Sequence, residues 1–367
     1  MMNRKEFQQY LQENVKDYLP ESFADARIIF NDVVKNNDNH MMGMSIVREG
    51  EGIVPNIYID GFYQQYQEGR NIDEIVGDIA DTRIEHDSQI QAEEITHNLM
   101  NYENVKDKLE ICICDTEENR EHLQGLVHTE HGDFSATYHV RISEMAQDGL
   151  VASSAVTPQL LDVWGISLSH LHQDALKSDI QRMPQFIDMI DMMESLMTDE
   201  NPRNLLETGE KVSPDGMGMY CLTNSERMDG ASLILQDGLM QQIEGIVGGN
   251  FYVLPSSIHE VLVVPDNGQL ELRELSAMVY KINRTEVAPQ DRLSDSVQYY
   301  DAETRTLENA QNREGRKELE KSEKMIAKES KKGIHDRLSE KKADAKATPK
   351  AEKAMEKAAK KNQDMSI

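Results

Sequence analysis

The sequence predicts an α+β fold with antiparallel or mixed sheets, helices packed on one face, and an extended charged helical tail. Short apolar runs bounded by Gly, Pro, Asn and Asp recur through the first 300 residues, as is typical of strands joined by turns. Between them lie segments whose apolar residues recur every three or four positions, which indicates amphipathic helices. From about residue 304, Glu, Lys and Ala dominate and apolar residues become sparse.

Residues 1–105 are predicted to form an N-terminal α+β unit. Its first segment carries apolar residues at helical spacing and ends at Pro20, which cannot continue a helix. Strand-like runs follow at 26–30, 42–47 and 53–59. The stretch 36–39 suits a turn, because Asn and Asp tolerate left-handed backbone. Two helical segments complete the unit, at 61–67 and 72–79.

The predicted middle segment, residues 106–200, mixes strands and helices. Strand-like runs lie at 109–114, 134–142 and 149–156. Pro158 and Ser167 suit the starts of two helices, since Pro fits a first helical turn and Ser an N-cap. Residues 185–197 are predicted as one amphipathic helix, because their apolar residues follow helical spacing: Phe186, Ile190, Met193 and Met197.

A polar loop, residues 198–216, is predicted to precede a C-terminal α+β unit at 217–300. Its strands are predicted at 219–222, 231–235, 251–254 and 258–264. Its helices are predicted at 237–247 and 270–282. In the tail, residues 304–367, apolar positions are too sparse for a sustained coiled-coil heptad, so a solvated, partly helical or disordered C-terminus is expected.

The formal net charge of −27 hides an asymmetry along the chain. Of the 39 Lys and Arg residues, 17 lie in 311–367, together with 11 of the 66 Asp and Glu residues. The tail is therefore basic, and residues 1–310 carry 22 basic against 55 acidic side chains. Such an acidic body repels nucleic acid and anionic membranes and attracts basic proteins. We expect a protein partner, no membrane association and no nucleic-acid binding.

The small, odd number of cysteines argues against a disulfide scaffold; they are Cys112, Cys114 and Cys221. The N-terminal residues lack the apolar stretch of a signal peptide, and no apolar run approaches the ~20 residues that span a bilayer. These features predict a cytoplasmic location. Cys112 and Cys114 lie two residues apart on a predicted strand, so both thiols would face one side, and burial is favoured there over a thiol pair.

Four segments resemble a bacterial family of the Firmicutes known as domain of unknown function 5688. They are IVPNIYIDGFYQQYQEGR (53–70), LLDVWGISLSHLHQDA (160–175), FYVLPSSIHEVLVVPD (251–266) and RLSDSVQYYD (292–301). The resemblance covers about residues 3–305 and excludes the tail. It implies no activity, cofactor or catalytic residue, because the family has none assigned. Members often stand beside mobile-element genes, which implies an accessory role in a mobile genetic element.

Ser257 and His259 are the candidate catalytic residues. On a strand they would share one face, and a Ser–His pair can form an activated nucleophile. However, residues two apart rarely form the required hydrogen bond, and neither a third orienting group nor a GxSxG motif is present. The alternative is structural: Pro255 begins the segment that leads into a core strand, and the hydroxyls and the imidazole form hydrogen bonds with nearby backbone groups. This structural role is favoured.

His128, His131 and Asp133 are the candidate metal ligands. Zinc requires three or four nitrogen, sulfur or carboxylate ligands. The HxxH spacing brings two imidazoles together only on a helix, and Gly132 disfavours a helix there. A polar turn before a strand is the favoured alternative, so no metal and no cofactor is expected.

The leading functional hypothesis is a non-enzymatic protein-interaction or accessory factor. The runner-up is a hydrolase or metal-dependent enzyme that uses the Ser257/His259 region, and a third is an acidic DNA mimic that inhibits a nucleic-acid-binding protein. The methionines clustered at 189–197 could line an adaptable peptide groove, although core packing is their commoner role.

Overall fold

A computed structural model describes residues 1–51, 54–85, 95–142, 153–198, 201–213, 218–319 and 321–323. It divides into a unit of residues Met1–Ala310 and a second unit, Gln311–Ile367. Residues 311–319 and 321–323 of the second unit are helical, and the rest of the predicted tail lies outside the described residues. The first unit has the predicted α+β fold, built from helices and antiparallel strand pairs.

The helices and strands of the first unit are named here in chain order. The helices are α1 (Arg4–Asn14), α2 (Asp60–Gln67), α3 (Ile72–Glu85), α4 (Tyr102–Val105), α5 (Pro158–Trp164), α6 (Leu168–Asp179), α7 (Met189–Thr198), α8 (Leu205–Thr208), α9 (Asp237–Val247) and α10 (Leu272–Thr285). The strands are β1 (Arg27–Lys35), β2 (Asn39–Val47), β3 (Ile57–Tyr58), β4 (Leu109–Asp115), β5 (His128–His131), β6 (Phe134–Arg141), β7 (Ser153–Ala155), β8 (Pro184–Asp188), β9 (Tyr220–Asn224), β10 (Phe251–Leu254), β11 (Val261–Pro265), β12 (Gln298–Asp301) and β13 (Thr306–Asn309).

The described strands form three antiparallel sheets. The first has the order β1-β2-β3, and the second has the order β4-β6-β5, with β7 also paired to β6. The third has the order β13-β12-β10-β11-β9-β8, which leaves β8 at one edge. None of the helices in the described residues has both the length and the apolar character that crossing a membrane requires.

The N-terminal sheet has its own core. Helix α1 starts at a capping box, in which the Asn3 side chain accepts from backbone N–H groups and Glu6 reaches back to the Asn3 N–H. Its apolar face then packs with α3 and the sheet. Fully buried members of this cluster include Phe7, Leu11, Met44, Ile46, Ile75 and Ile79.

The middle and C-terminal segments share a second, larger core, which runs in sequence from Tyr102 to Tyr300. Helix α9 packs into it together with one face of the third sheet. Alternate residues of the same strands, such as Leu254 and Val264, join a separate cluster with α10. The two helices therefore cover opposite faces of the third sheet.

Three element predictions for the C-terminal half were wrong. Residues 184–188 form strand β8, so the predicted helix 185–197 begins only at Met189. Residues 230–235 form a buried 3-10 helix where a strand was predicted. The predicted strand 258–264 starts at Val261, which leaves Ser257 and His259 in an irregular segment. Strands β5, β12 and β13 were not predicted.

Candidate interaction surface

Helix α7 follows the edge strand of the third sheet. Strand β8 pairs only with β9 among the described strands, and Phe186 faces Leu222 in that pairing. The helix follows β8 without a loop. Its start is fixed because the Met189 N–H donates to the Met219 carbonyl (3.0 Å) and the Ile190 N–H donates to Asp188 Oδ1 (2.8 Å).

Three apolar residues of α7 are exposed. Six of its ten residues are Met, Ile or Leu, yet none of its described side chains is buried. Ile190, Met193 and Met197 are 67%, 63% and 88% exposed. They lie at i, i+3 and i+7, so they form one row on the helix, called here the α7 stripe. A helix this apolar is normally buried, so within the described residues the stripe is an uncovered face.

The surroundings of the α7 stripe are acidic. Between Arg182 and Arg203 the sequence holds five Asp and Glu residues and no Lys or Arg. Asp191 pairs with Arg203 (3.0 Å), and this hydrogen bond raises the pKa of the guanidinium. The surface therefore combines flexible thioether side chains with negative charge, which suits an adaptable contact with a basic partner.

Ser257 and His259 lie close together, but they do not form the hydrogen bond of a nucleophile and base. Ser257 is buried, and its Oγ accepts from the backbone N–H of His259 (3.0 Å). The imidazole accepts at Nδ1 from the Asp229 N–H (3.2 Å), and its Nε2 lies 3.7 Å from Asp291 Oδ1. No hydrogen bond joins the ring to the Ser257 hydroxyl in the described structure, so a catalytic role would require rearrangement.

His128, His131 and Asp133 have separate partners. His128 Nδ1 contacts the Leu126 carbonyl (3.0 Å), and Asp133 accepts from two side-chain amides, those of Gln298 (3.0 Å) and Asn309 (2.6 Å). Within the described ranges, no three His, Cys, Asp or Glu side chains are placed to hold a metal ion. The cysteines are free thiols, and burial raises the pKa of Cys114 and Cys221 to about 12.

His131 belongs instead to a hydrogen-bonded chain that sequence analysis did not find. His131 Nε2 contacts Thr129 Oγ1 (2.8 Å), Thr129 Oγ1 contacts the Tyr138 hydroxyl (2.7 Å), and that hydroxyl contacts His172 Nδ1 (2.8 Å). The two imidazoles also stack, with ring centroids 5.1 Å apart. Two strands and α6 supply these residues, and no sequence spacing links them.

The number of hydrogens available to the three contacts couples the protonation states of the two rings. Three contacts need three hydrogens, and the two hydroxyls supply only two. One imidazole must therefore donate to its hydroxyl partner while the other accepts. The donating ring can bind an extra proton at its other nitrogen, but protonation of the accepting ring as well would break one of the three hydrogen bonds. Burial lowers the pKa of both rings, the His131 ring lowers that of His172 further, and Asp237 raises that of His131.

We predict that Tyr138→Phe narrows the gap between the two apparent pKa values of this pair. The wild-type rings should titrate in two steps, with His131 protonated first because Asp237 favours its charge. Loss of the linking hydroxyl should reduce the gap by about 0.5–1 unit, the equivalent of about 1 kcal/mol for one hydrogen bond. NMR titration of the imidazole carbons of both rings in the wild type and the variant measures this. An unchanged gap would contradict the coupling.

The comparisons with known proteins identify a family. The model of a family of unknown function (DUF5688) matches residues 4–302, most of the chain, and the chain therefore belongs to this family. No curated protein and no solved structure matches the chain.

Proposed function

We propose that this member of the DUF5688 family is a non-enzymatic interaction protein that binds a basic amphipathic helix of a partner protein through the α7 stripe. The observation that carries the proposal is the exposure of Ile190, Met193 and Met197 on a helix with no buried described side chain. Helix recognition uses apolar residues at this i, i+3 and i+7 spacing. The proposal fits an accessory factor, the role that the family resemblance implies.

The chemistry of the surface favours a basic partner over a second copy of this chain. Asp188, Asp191 and Glu194 lie at or next to the stripe, so two copies would bring like charges together. A partner with Lys or Arg beside its apolar row would gain attraction at the same positions. Full burial of each apolar side chain would contribute about 1.5–3 kcal/mol before the costs of association.

We expect a synthetic helical peptide of Leu and Lys, with Leu at i, i+3, i+4 and i+7, to bind the full chain more tightly than two matched peptides. The first control has the same composition in a scrambled order, which keeps the charge but removes the apolar row. The second replaces Lys with Glu. Fluorescence anisotropy at two salt concentrations separates the apolar contribution from the screened charge contribution.

The variant Ile190→Ser/Met193→Ser/Met197→Ser should lose about tenfold or more in affinity for the amphipathic peptide, equal to about 1.4 kcal/mol. Its stability should hardly change, because the three side chains are exposed. Val163→Ser/Met183→Ser, also at exposed apolar positions, is the matched control and should bind normally. Equal binding by the triple variant, or by the scrambled peptide, would refute the proposal.

A further inference from the structure

Strand β1 is an edge strand that turns part of its backbone away from its sheet. It pairs with β2 along all nine residues without a bulge, and no described strand lies on its other side. On β2, the Met42 N–H donates to Asp60 Oδ2 (2.7 Å) and the Met42 carbonyl accepts from the Ile59 N–H (3.0 Å), so both groups point away from β1. Asp32 faces Met42 in the pairing and must therefore point its own N–H and carbonyl away from β2.

The outward backbone groups of β1 recur at every second residue. The antiparallel pattern gives Ile28, Phe30 and Val34 the same direction as Asp32. The Val34 carbonyl agrees with this, because it accepts from His122 Nδ1 (2.9 Å), on a segment outside the sheet. The backbone groups of Ile28, Phe30 and Asp32 form no hydrogen bond with a described residue. These three residues are called here the β1 edge, and they offer the alternating donors and acceptors to which another strand pairs.

The β1 edge lacks the usual protection against strand pairing. Exposed edges are normally blocked by Pro, Lys, a bulge or a covering segment. Residues 28–31 are Ile, Ile, Phe and Asn, and β1 contains no Pro or Gly. Strand β8, at the edge of the third sheet, is blocked: the Asn204 side chain accepts from the Phe186 N–H (3.0 Å) and donates to the Pro184 carbonyl (3.0 Å). Of these two edges, β1 is therefore the one that can accept a strand.

The side chains of β1 match a second copy of the same strand. Ile28 and Phe30 pack against the N-terminal core, whereas Ile29 lies on the other face of the sheet and is 47% exposed. In an antiparallel pair centred on Ile29, this residue faces Ile29 of the second copy, and Ile28 faces Phe30 of the second copy. Both matches bring apolar side chains together, and such cross-strand pairs stabilise a sheet.

The charges of this segment also permit pairing with itself. Residues 25–35 hold two acidic and two basic side chains, whereas residues 1–310 carry 22 basic against 55 acidic ones. Repulsion between two acidic bodies is therefore weakest at this neutral segment. In the pairing centred on Ile29, Arg27 faces Asn31 and Asp32 faces Ala26, so no charge faces a like charge.

We propose that two copies of this chain associate through the β1 edge, in an antiparallel pair centred on Ile29 that joins their N-terminal sheets. Ile28 and Phe30 of the second copy form the hydrogen-bonded pair, and the two Ile29 residues form the closer, non-hydrogen-bonded pair. One pair of strands buries a small area, so the dimer should be reversible. This interface does not use the α7 stripe.

Sedimentation velocity of the full chain, in about 0.5 M NaCl to screen the acidic bodies, tests the association. The wild type should shift from the 41.8 kDa monomer toward twice that mass between about 1 and 200 µM, concentrations that reveal a weak dimer. Ile29→Glu should weaken dimerisation at least about tenfold, because it places two like charges opposite each other at the centre of the pair.

Two controls separate the β1 edge from other surfaces. Val163→Glu adds the same charge at another exposed apolar residue and should dimerise as the wild type does. The α7 triple serine variant should also dimerise normally. A wild type that stays monomeric throughout, equal losses in the two Glu variants, or loss of the dimer in the α7 variant would overturn the proposal.

Oxidative cross-linking tests the register. In the proposed pair the two Ile29 Cα atoms lie about 4.5 Å apart, within reach of a disulfide. Ile29→Cys should therefore form a disulfide-linked dimer, and a mixture of Arg27→Cys with Asn31→Cys should form a mixed one. Either of those two variants alone should remain at the wild-type background, which the three native free thiols set. Equal yields at all three positions, or a dimer from Asn31→Cys alone, would contradict the register.

Discussion

Replacing Arg182 with Met should lower the free energy of unfolding by about 3–5 kcal/mol near pH 7, the cost of breaking a buried ion pair from one side. Its side chain is 8% exposed and lies among carboxylates. It donates to Asp179 (3.3 Å), Glu226 (3.1 Å) and the Met228 carbonyl (2.5 Å), and it lies 3.9 Å from Glu110. Without the guanidinium, the buried Asp179 would lose its ion-pair partner, while Glu110 and Glu226 would keep Arg141.

The loss of stability caused by Arg182→Met should be smaller at low pH, because the carboxyl of Asp179 is then protonated. Burial raises the pKa of this carboxyl to about 6, although Ser232 and Arg182 favour its charged form. A carboxyl with a raised folded-state pKa destabilises the protein above that pKa, and the penalty disappears as pH falls toward the ordinary value of 3.8. Removal of Arg182 raises this pKa further, so the penalty of the variant at about pH 5 should be lower than at about pH 7.5.

Urea denaturation at both pH values measures the effect. Asp179→Asn in the Arg182→Met background should recover part of the stability, because it removes a buried negative charge that has lost its partner. Arg203→Met is the control, since Arg203 is exposed and its pair with Asp191 should contribute about 0–1 kcal/mol. Equal effects of the two Arg substitutions would contradict the buried-network explanation.

The elements that could be predicted are those with local signals. Pro158 and Ser167 stand where predicted, at the first position of α5 and the N-cap of α6. Strands β4 and β6 were found because apolar residues alternate or run together there. In these cases the local sequence pattern agrees with the tertiary environment, so the sequence is sufficient to predict the element.

The failures have tertiary causes. Phe186 continues the helical spacing of Ile190, Met193 and Met197, but it is buried at a sheet edge while those three are exposed. Pairing of residues 184–188 with β9 overrides the periodicity. The apolar run 231–235 is short and buried on all sides, and such a run has no period that distinguishes a strand from a 3-10 helix.

Most of the site features could not be found from the sequence. The exposure of the α7 stripe depends on which elements pack against the edge of the third sheet, and this tertiary arrangement leaves no local pattern in the sequence. The hydrogen-bonded series from His131 to His172 joins residues on two strands and a helix. The sequence did show the methionine cluster at 189–197 and the acidic charge of residues 1–310.

The second large effect is expected at His139. This partly buried residue lies on β6, opposite Glu110 on β4, and its Nε2 is 3.4 Å from the Thr137 hydroxyl. Burial, with a smaller contribution from the nearby charges of His122 and Lys35, lowers the pKa of the ring to about 4. The unfolded chain binds this proton near the ordinary value of 6.5, whereas the folded protein does not.

Acidification should therefore destabilise the protein through His139. The stability linked to this ring is complete above about pH 6.5 and is lost as pH falls toward 4, by at most about 3 kcal/mol. Asp179 changes stability in the opposite direction over the same range, so the pH profile of the wild type alone cannot isolate the histidine. The difference between the wild type and His139→Gln can, because Gln keeps a hydrogen-bonding side chain and binds no proton.

The free energy of unfolding of the wild type, minus that of His139→Gln, should fall by about 2–3 kcal/mol between pH 7 and pH 4.5. His170→Gln, at an exposed position, should show a smaller change. A difference that stays constant with pH would mean that the folded His139 ring accepts its proton as readily as the unfolded one. Its burial, and the positive charge that Lys35 and His122 bring near it, argue against that outcome.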